Sequence, residues 1–349
     1  MGLPLLTCPA NSSTRARAKG KNVMLALHAG ALATSLVIGL AAATVATVAA
    51  AEPWPQRPVR LIVPIGAGSG SDIAARQFAE RLAERWKQPV VVENRPGADG
   101  LIGTVAFTSM HDDHVLLFSP AAPISVFPQV HEKLAYDPAL DLVPITSATN
   151  TFVMLAVSEA AKIRTLPELI ALARSDPGKL NWSSGGGALT YLLAGFVKAS
   201  GLDMVPVSYR EQNLAIQDLV AGRLHVMLTV LAALLPQARS GKIRLLAATN
   251  NQRAPSAPEV PTATEAGHPE LAFEGLWGFF GPRGMPTERR DQVAATVGSI
   301  AADADLADRL AAVGQIARAG TPSEFSAAIE AQRAKISSIV KMIGIKPAR

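Results

Sequence analysis

The chain has 349 residues, 49% hydrophobic and only 5% aromatic, which is enough for two domains with cores of their own. Its formal charge of +5 is concentrated in a leader: Arg15, Arg17, Lys19 and Lys21 precede the first acidic residue, Glu52, and beyond them 29 basic residues face 28 acidic ones. The high pI therefore signals no polyanionic partner, and with so few aromatics no nucleic acid is expected among the partners.

Residues 1–51 read as a targeting segment. A basic stretch up to Asn22 is followed by an apolar or small run over residues 23–48, and the segment closes on Ala49-Ala50-Ala51, an A-x-A cleavage pattern. The expectation is a signal peptide cleaved near Ala51/Glu52 and export to the periplasm, with Met24 as an alternative start. The competing reading is an uncleaved membrane anchor, since the run is long enough to span a bilayer. The one cysteine, Cys8, lies in the leader, so the mature chain has neither disulfide nor thiol chemistry.

Residues 59–63 are mostly β-branched or apolar and read as a buried strand. Pro64-Ile65-Gly66-Ala67-Gly68-Ser69-Gly70-Ser71 follows as a glycine loop, and Ile73, Phe78, Leu82 and Trp86 then mark one side of a helix. A strand, a glycine loop and a helix N-terminus in that order present free backbone N–H groups and the positive end of a dipole to an anion. Residues 89–94 form a second strand, 95–100 a turn-rich loop, 102–110 a helix and 115–119 a third strand. That alternation predicts a parallel sheet with crossover helices. Ligands lie beyond the carboxyl ends of such strands, where Ser119 falls.

Two apolar stretches come next, over 142–145 and 152–157. Thr165-Leu166-Pro167-Glu168 is a capping box that opens a helix to Arg174. After a strand over 180–183, Ser184-Gly185-Gly186-Gly187 runs into a helix carrying Thr190 and Tyr191. The strand, glycine loop and helix thus recur, as if one copy belonged to each lobe of a cleft. Strands are expected over 204–209, 226–230, 243–249 and 273–280, with a helix over 215–221. The tail is helical, with Thr321-Pro322-Ser323-Glu324 as a second capping box.

Three further patterns bear on chemistry. His111 and His114 flank Asp112-Asp113, which reads as a solvated, exposed turn; no metal is expected. Ser71 with Asp72 lacks a histidine base, so no hydrolase arrangement is expected. Gly66-x-Gly68-x-x-Ser71, with Glu93 closing the next strand, approximates a dinucleotide site and raises the alternative of an exported NAD-dependent oxidoreductase. Serine at the sixth position and export away from the nicotinamide pool count against it.

A resemblance rests on Trp54-Pro55-x-Arg57-Pro58-x-Arg60, the loop from Pro64 to Asp72, Val91-Val92-Glu93-Asn94-Arg95-Pro96-Gly97 and Tyr136-Asp137-Pro138. Further along come Pro177-Gly178-x-Leu180-Asn181, Ala221-Gly222-x-Leu224, Gly241-Lys242-x-Arg244, Val260-Pro261-Thr262, Glu265-Ala266-Gly267 and Gly281-Pro282. In order and spacing the chain resembles the periplasmic solute receptors of tripartite tricarboxylate transporters, the Bug receptors. The resemblance implies an α/β, two-lobe periplasmic binding protein of the type II-like, Venus-flytrap kind with two crossing segments. Lobe 1 would comprise 52–152 plus 276–349 and lobe 2 residues 153–275, with crossings near Phe152 and Leu276.

It also implies no enzyme and no cofactor, but a monomer that binds a small carboxylate and serves a membrane permease or a sensor. By position the ligand would meet Pro64, Ile65, Gly66, Gly68, Ser69, Gly70, Ser71 and Ser119. The other lobe would add Ser184, Gly186, Thr190 and Tyr191, with Tyr209, Glu211 and Thr229 as further candidates; Tyr191 and Tyr209 read equally as core residues with satisfied hydroxyls, and Glu211 as a solvated surface residue. The chain departs from the pattern at Ile65, where an aromatic is usual, at Ser69 for glycine, and at Leu192 for histidine. Glu211-Gln212-Asn213 replaces a glycine run, Leu214 a frequent proline, and Thr229 an acid that can meet a ligand amine. The ligand's identity stays open.

Overall fold

The computed structural model describes Gly2 and residues 54–347; the expected leader and its cleavage point lie outside them. Strand β1 (Val59–Val63) feeds helix α1 (Gly70–Trp86), followed by β2 (Val90–Asn94), α2 (Leu101–Thr108) and β3 (Val115–Pro120). Two single turns, α3 (Ala122–Ser125) and α4 (Phe127–Val130), precede β4 (Val143–Thr151), which passes through Phe152 into β5 (Val153–Ser158). Next come α5 (Leu166–Ser175), β6 (Asn181–Ser184), α6 (Ala188–Ala199), β7 (Val205–Pro206), α7 (Gln212–Val220), β8 (Val226–Val230), α8 (Leu231–Arg239) and β9 (Ile243–Ala248). The chain closes with β10 (Gly275–Gly281), α9 (Thr287–Ala301), α10 (Ala304–Ala312), β11 (Gln315–Ala317) and α11 (Pro322–Ile343).

The strands form two sheets, one ordered β11-β4-β10-β3-β1-β2 and the other β7-β6-β8-β5-β9. Sheet direction differs from the all-parallel expectation. β1 is parallel to β2 and β3, but β10 runs antiparallel to β3 and β4, and β5 antiparallel to β8 and β9. The reason is connectivity. β5 and β10 enter without a helix to reverse the chain, so each starts where its neighbours end: Val153 pairs with Val230, and Gly275 with Thr151. The carboxyl ends of β1, β3 and β4 in one sheet, and of β6 and β8 in the other, are therefore the edges nearest the two passages between sheets.

Both passages are tied. Phe152 N–H donates to the Gly314 carbonyl, and its own carbonyl accepts from Leu231 N–H. Asn250 accepts from Val153 N–H and donates to the Thr151 carbonyl, while Glu274 accepts from Asn150, Asn250 and the Asn251 N–H. Apolar packing supplies the rest. In the first sheet Phe118 meets Phe279 edge-on with ring centroids 5.2 Å apart, and Phe78 meets Phe279 at 5.7 Å. Helix α11 packs on both β4 and α6, where Gly195 lets Ile339 lie against the helix backbone. One core cluster consequently includes side chains of both sheets.

Local signals account for the helix starts. Ser69 caps α1, accepting from Asp72 N–H, and Thr321 with Glu324 forms both halves of its capping box. The box at Thr165 forms only by half, because the Glu168 carboxylate takes Arg164 N–H instead. The expected strand over 204–209 shortens to Val205–Pro206, and α8 and β11 appear where no element was expected. Phe279→Ala, at a site with no exposed surface, should cost about 3–5 kcal/mol. Urea unfolding checks it: the midpoint should fall with the slope unchanged, and a loss below about 1 kcal/mol would mean that the aromatic ladder does little for the sheet.

Candidate functional site

The first glycine loop is built around an internal anion. Asp72, 2% exposed, accepts from Gly68 N–H (2.8 Å), Arg76 Nε (3.1 Å) and Asn94 Nδ2 (2.8 Å), and Asn94 also donates to the Ile65 carbonyl (3.1 Å). Burial pushes the Asp72 carboxyl up, but Gly68, Asn94 and Arg76 together outweigh it and hold it below the ordinary range. The loop rests on α2, because Gly103 has no Cβ to meet Pro64, and Gly70 approaches the Val313 carbonyl, 2.9 Å from where its own Cβ would be. Gly66, Gly68 and Ser69 are exposed, Ile65 and Gly70 half-buried, Pro64 and Ser71 buried. The Gly68 N–H and the Ser69 hydroxyl already serve Asp72. Ser71 Oγ accepts from Gln315 Nε2 at 3.0 Å and retains a proton to donate.

Beside the loop, along the same sheet edge, lie groups that the sequence reading missed. Thr149 and Thr151 project from the end of β4, and Gln315 pairs across strands with Thr151. Their Thr149 Oγ1, Thr151 Oγ1 and Gln315 Oε1 atoms are buried without a protein partner among the described residues. Buried hydroxyls of this kind ordinarily find one, so this edge holds unspent hydrogen-bonding capacity. Ser119 lies at the carboxyl end of β3, one residue before its last, its hydroxyl donating to the Pro120 carbonyl at 3.0 Å.

The second glycine loop occupies the matching edge of the other sheet. Ser184 Oγ and Thr190 Oγ1 are 2.6 Å apart, and Gly186 N–H donates to Ser184 Oγ. Gly186 has a φ of 87°, a turn that glycine alone makes at little cost. Helix α6 then starts with no side-chain cap. Thr229, fully buried, places its hydroxyl where a Cβ on Gly185 would be, and Gln212 Oε1 is 3.4 Å from that position. Tyr191 is half-buried, and burial together with the Asp99 charge pushes its phenol up.

Asp99, on the loop after β2, reaches across: its Oδ1 lies 3.0 Å from where a Cβ on Gly186 would stand. The structure therefore brings Ser184, Gly186, Thr190, Tyr191 and Thr229 together and sets a first-sheet loop against them. Tyr209 is already partnered within its own sheet's half of the chain. Its hydroxyl donates to Asp218 at 2.8 Å, and burial and that carboxylate push it up to about 12. Glu211 is exposed at the start of α7 and does not cap it.

Two alternatives are corrected. Glu93, the acid a dinucleotide ribose would need, is gripped by both Arg60 and Arg95, so the oxidoreductase reading is not supported. The turn at residues 111–114 is less exposed than expected, since His114 is buried beside the Trp54 ring. The ligand atoms of Asp112, Asp113 and His114 approach within 4.8 Å, but Arg57 and Arg289 already pair with the two acids.

Two mixed sheets joined by two tied passages, with a glycine loop and a helix start at the facing edge of each, define a periplasmic solute-binding protein. Residues 74–345 match the TctC model, the tripartite tricarboxylate transporter family receptor, and the chain belongs to that family. A UPF0065 protein of Bordetella bronchiseptica is 31% identical over 302 residues, which cover 86% of this chain and 89% of that one. BugT of Bordetella pertussis is 32% identical over 71% of this chain and 78% of its own. Among solved structures, R. palustris Rpa4515 with adipate has a TM-score of 0.76 at 28% identity, covering 84% of this chain and all of that one. MatC of Rhodopseudomonas palustris, with bound malate, has a TM-score of 0.68 at 25% identity, covering 82% of this chain and 100% of its own.

The depressed Asp72 carboxyl makes stability depend on pH with a definite sign. Its contribution is fully present above about pH 4, the unfolded-chain value, and is lost as pH falls through the folded value. Asp72→Asn should lower stability at pH 7 by about 1–3 kcal/mol. In urea titrations the gap to wild type should close below about pH 4; a gap unchanged from neutral to acid pH would remove ionised Asp72 from the loop's support.

Proposed function

We propose that the chain is an exported, non-enzymatic receptor that captures one small organic acid between its lobes and presents it to a membrane permease or a sensor. The lobes are residues 52–152 plus 276–349, and 153–275. The signal peptide is cut near Ala51/Glu52 and the mature monomer works in the periplasm without a cofactor. The observation that carries this reading is the meeting of the two glycine-loop edges, with the loop that supports Pro64 also reaching Gly186. Membership of the receptor family supports it, as do the adipate and malate held by two similar structures.

In the proposed complex a ligand carboxylate takes the open face of the first loop, where Gly66 and Ser69 are exposed. Backbone N–H groups and the Ser71 hydroxyl donate to it. Closure then removes water, and charge-assisted hydrogen bonds strengthen in the lower dielectric. The ligand favours the closed form because only that form lets both loops touch it, which is a population shift set by differential affinity. Ser184, Thr190 and Tyr191 supply neutral hydroxyls from the second lobe.

Thermal-shift measurements with di- and tricarboxylates, amino acids, aromatic acids and NAD test the reading. A bound acid at 100 times its dissociation constant should stabilise the fold by about 2.7 kcal/mol. A shift from NAD alone, or from none of the acids, would count against it. Gly66 is the place to block the site, because a Cβ there meets nothing within 4 Å and its φ is not left-handed. Gly66→Val should weaken acid binding at least about tenfold in calorimetry while changing stability by less than about 0.5 kcal/mol. Undiminished affinity would move the carboxylate away from this loop.

A further inference from the structure

The loop after β2 carries a charged side chain, Asp99, to the second glycine loop. Gly97, Ala98, Asp99 and Gly100 have φ values of 125°, 47°, 54° and 98°, a run of left-handed backbone. Gly100 and Gly103 seat this loop on Pro64. The turn carries Asp99 to the second glycine loop, where its Oδ1 stands over Gly186 and its charge acts on the Tyr191 phenol.

The other acids of this lip are neutralised on the spot, Asp72 by Arg76 and Glu93 by Arg60 and Arg95. Asp99 is exposed and enters no ion pair or hydrogen bond among the described residues. The groups shown beside it and beside the adjacent Gly185 are neutral. Tyr191 stays neutral because its phenol is pushed up, and Gln212 sets an acceptor oxygen beside Gly185, 3.4 Å from the Cβ position. Thr229 brings only a hydroxyl. A second ligand carboxylate placed here would face an unpaired negative charge, whereas an ammonium group would complete a charge-assisted pair.

We propose that Asp99 is a specificity-determining residue, and that the ligand is a small acid that also carries an ammonium group, held against Asp99 while its carboxylate lies on the first loop. This rests on the receptor reading above. The ammonium is met by a lobe 1 loop, independently of the second-lobe strand end, where Thr229 offers no charge. Gly186 leaves room for the pair, since any Cβ there would crowd the Asp99 carboxylate.

The test uses matched acids that differ only in the amino group: L-aspartate against succinate, and L-glutamate against glutarate. Each is titrated by calorimetry into wild type, Asp99→Asn and Asp99→Gly. Asparagine and glycine both accept left-handed backbone, so the turn persists in either variant, which unchanged thermal melting would verify. Wild type should bind the amino member of a pair about 10- to 100-fold tighter. Both variants should lose that preference, and the plain diacid should bind them better than it binds wild type.

A wild-type preference for any acid without an ammonium group, or a preference that survives Asp99→Asn, overturns the assignment and leaves the receptor reading intact. If none of these four acids binds wild type, the Asp99 assignment falls, and the receptor reading is decided by the wider thermal-shift panel.

Discussion

Everything at the cleft depends on the clamp that Glu274 makes between the two passages. Its carboxylate collects Asn150 from one crossing and Asn250 with the Asn251 N–H from the other. Asn250 then bridges back to Thr151 and Val153. Carboxylate and amides satisfy one another where two chain segments leave one sheet for another, a place where unpaired backbone groups would be costly. With the crossings fixed side by side, the carboxyl ends of β1, β3 and β4 lie opposite those of β6 and β8. The site is a consequence of that alignment.

The same economy of internal pairing shapes the first glycine loop. Asp72 occupies the centre of the loop from within, taking the Gly68 N–H and being steadied by Arg76 and Asn94. The loop is therefore held by its own side chains, so an anion bound there as proposed would not have to order it. Nearby arginines are likewise committed, Arg60 and Arg95 to Glu93. At the proposed site a ligand would meet hydrogen-bond donors and oriented backbone more than free positive charge, an arrangement that would discriminate by shape and donor pattern.

How much of this could be read from the sequence follows from how local each feature is. The first loop and α1 were legible because glycines, a capping serine and an apolar stripe all lie within one short stretch. The Thr321 box was legible for the same reason. The direction of β5 and β10 was not, since it depends on whether a helix intervenes before the strand joins its sheet, which periodicity does not record. Helix α8 was hidden by an internal proline, Pro236, and β11 exists as a strand only through its pairing with β4. At the site, the hydroxyls of Ser184 and Thr190 announce themselves beside a glycine run. Asp99, Gln315 and the threonines of β4 do not, because what they face is set by neighbours far away in the chain.

The seam at Phe152 carries one more consequence. Its N–H is held by Gly314, just before β11, and its carbonyl by Leu231, at the head of α8. Helix α11 meanwhile grips α6 through Ile339 at Gly195. The two halves are thus tied at the crossing strand by backbone hydrogen bonds and at the helix pair by side-chain packing, so in the proposed receptor turning about the crossings would break fewer contacts than sliding would. If the chain serves a membrane partner as proposed, such a joint would offer that partner two discrete outlines to tell apart, instead of a continuum of half-open shapes.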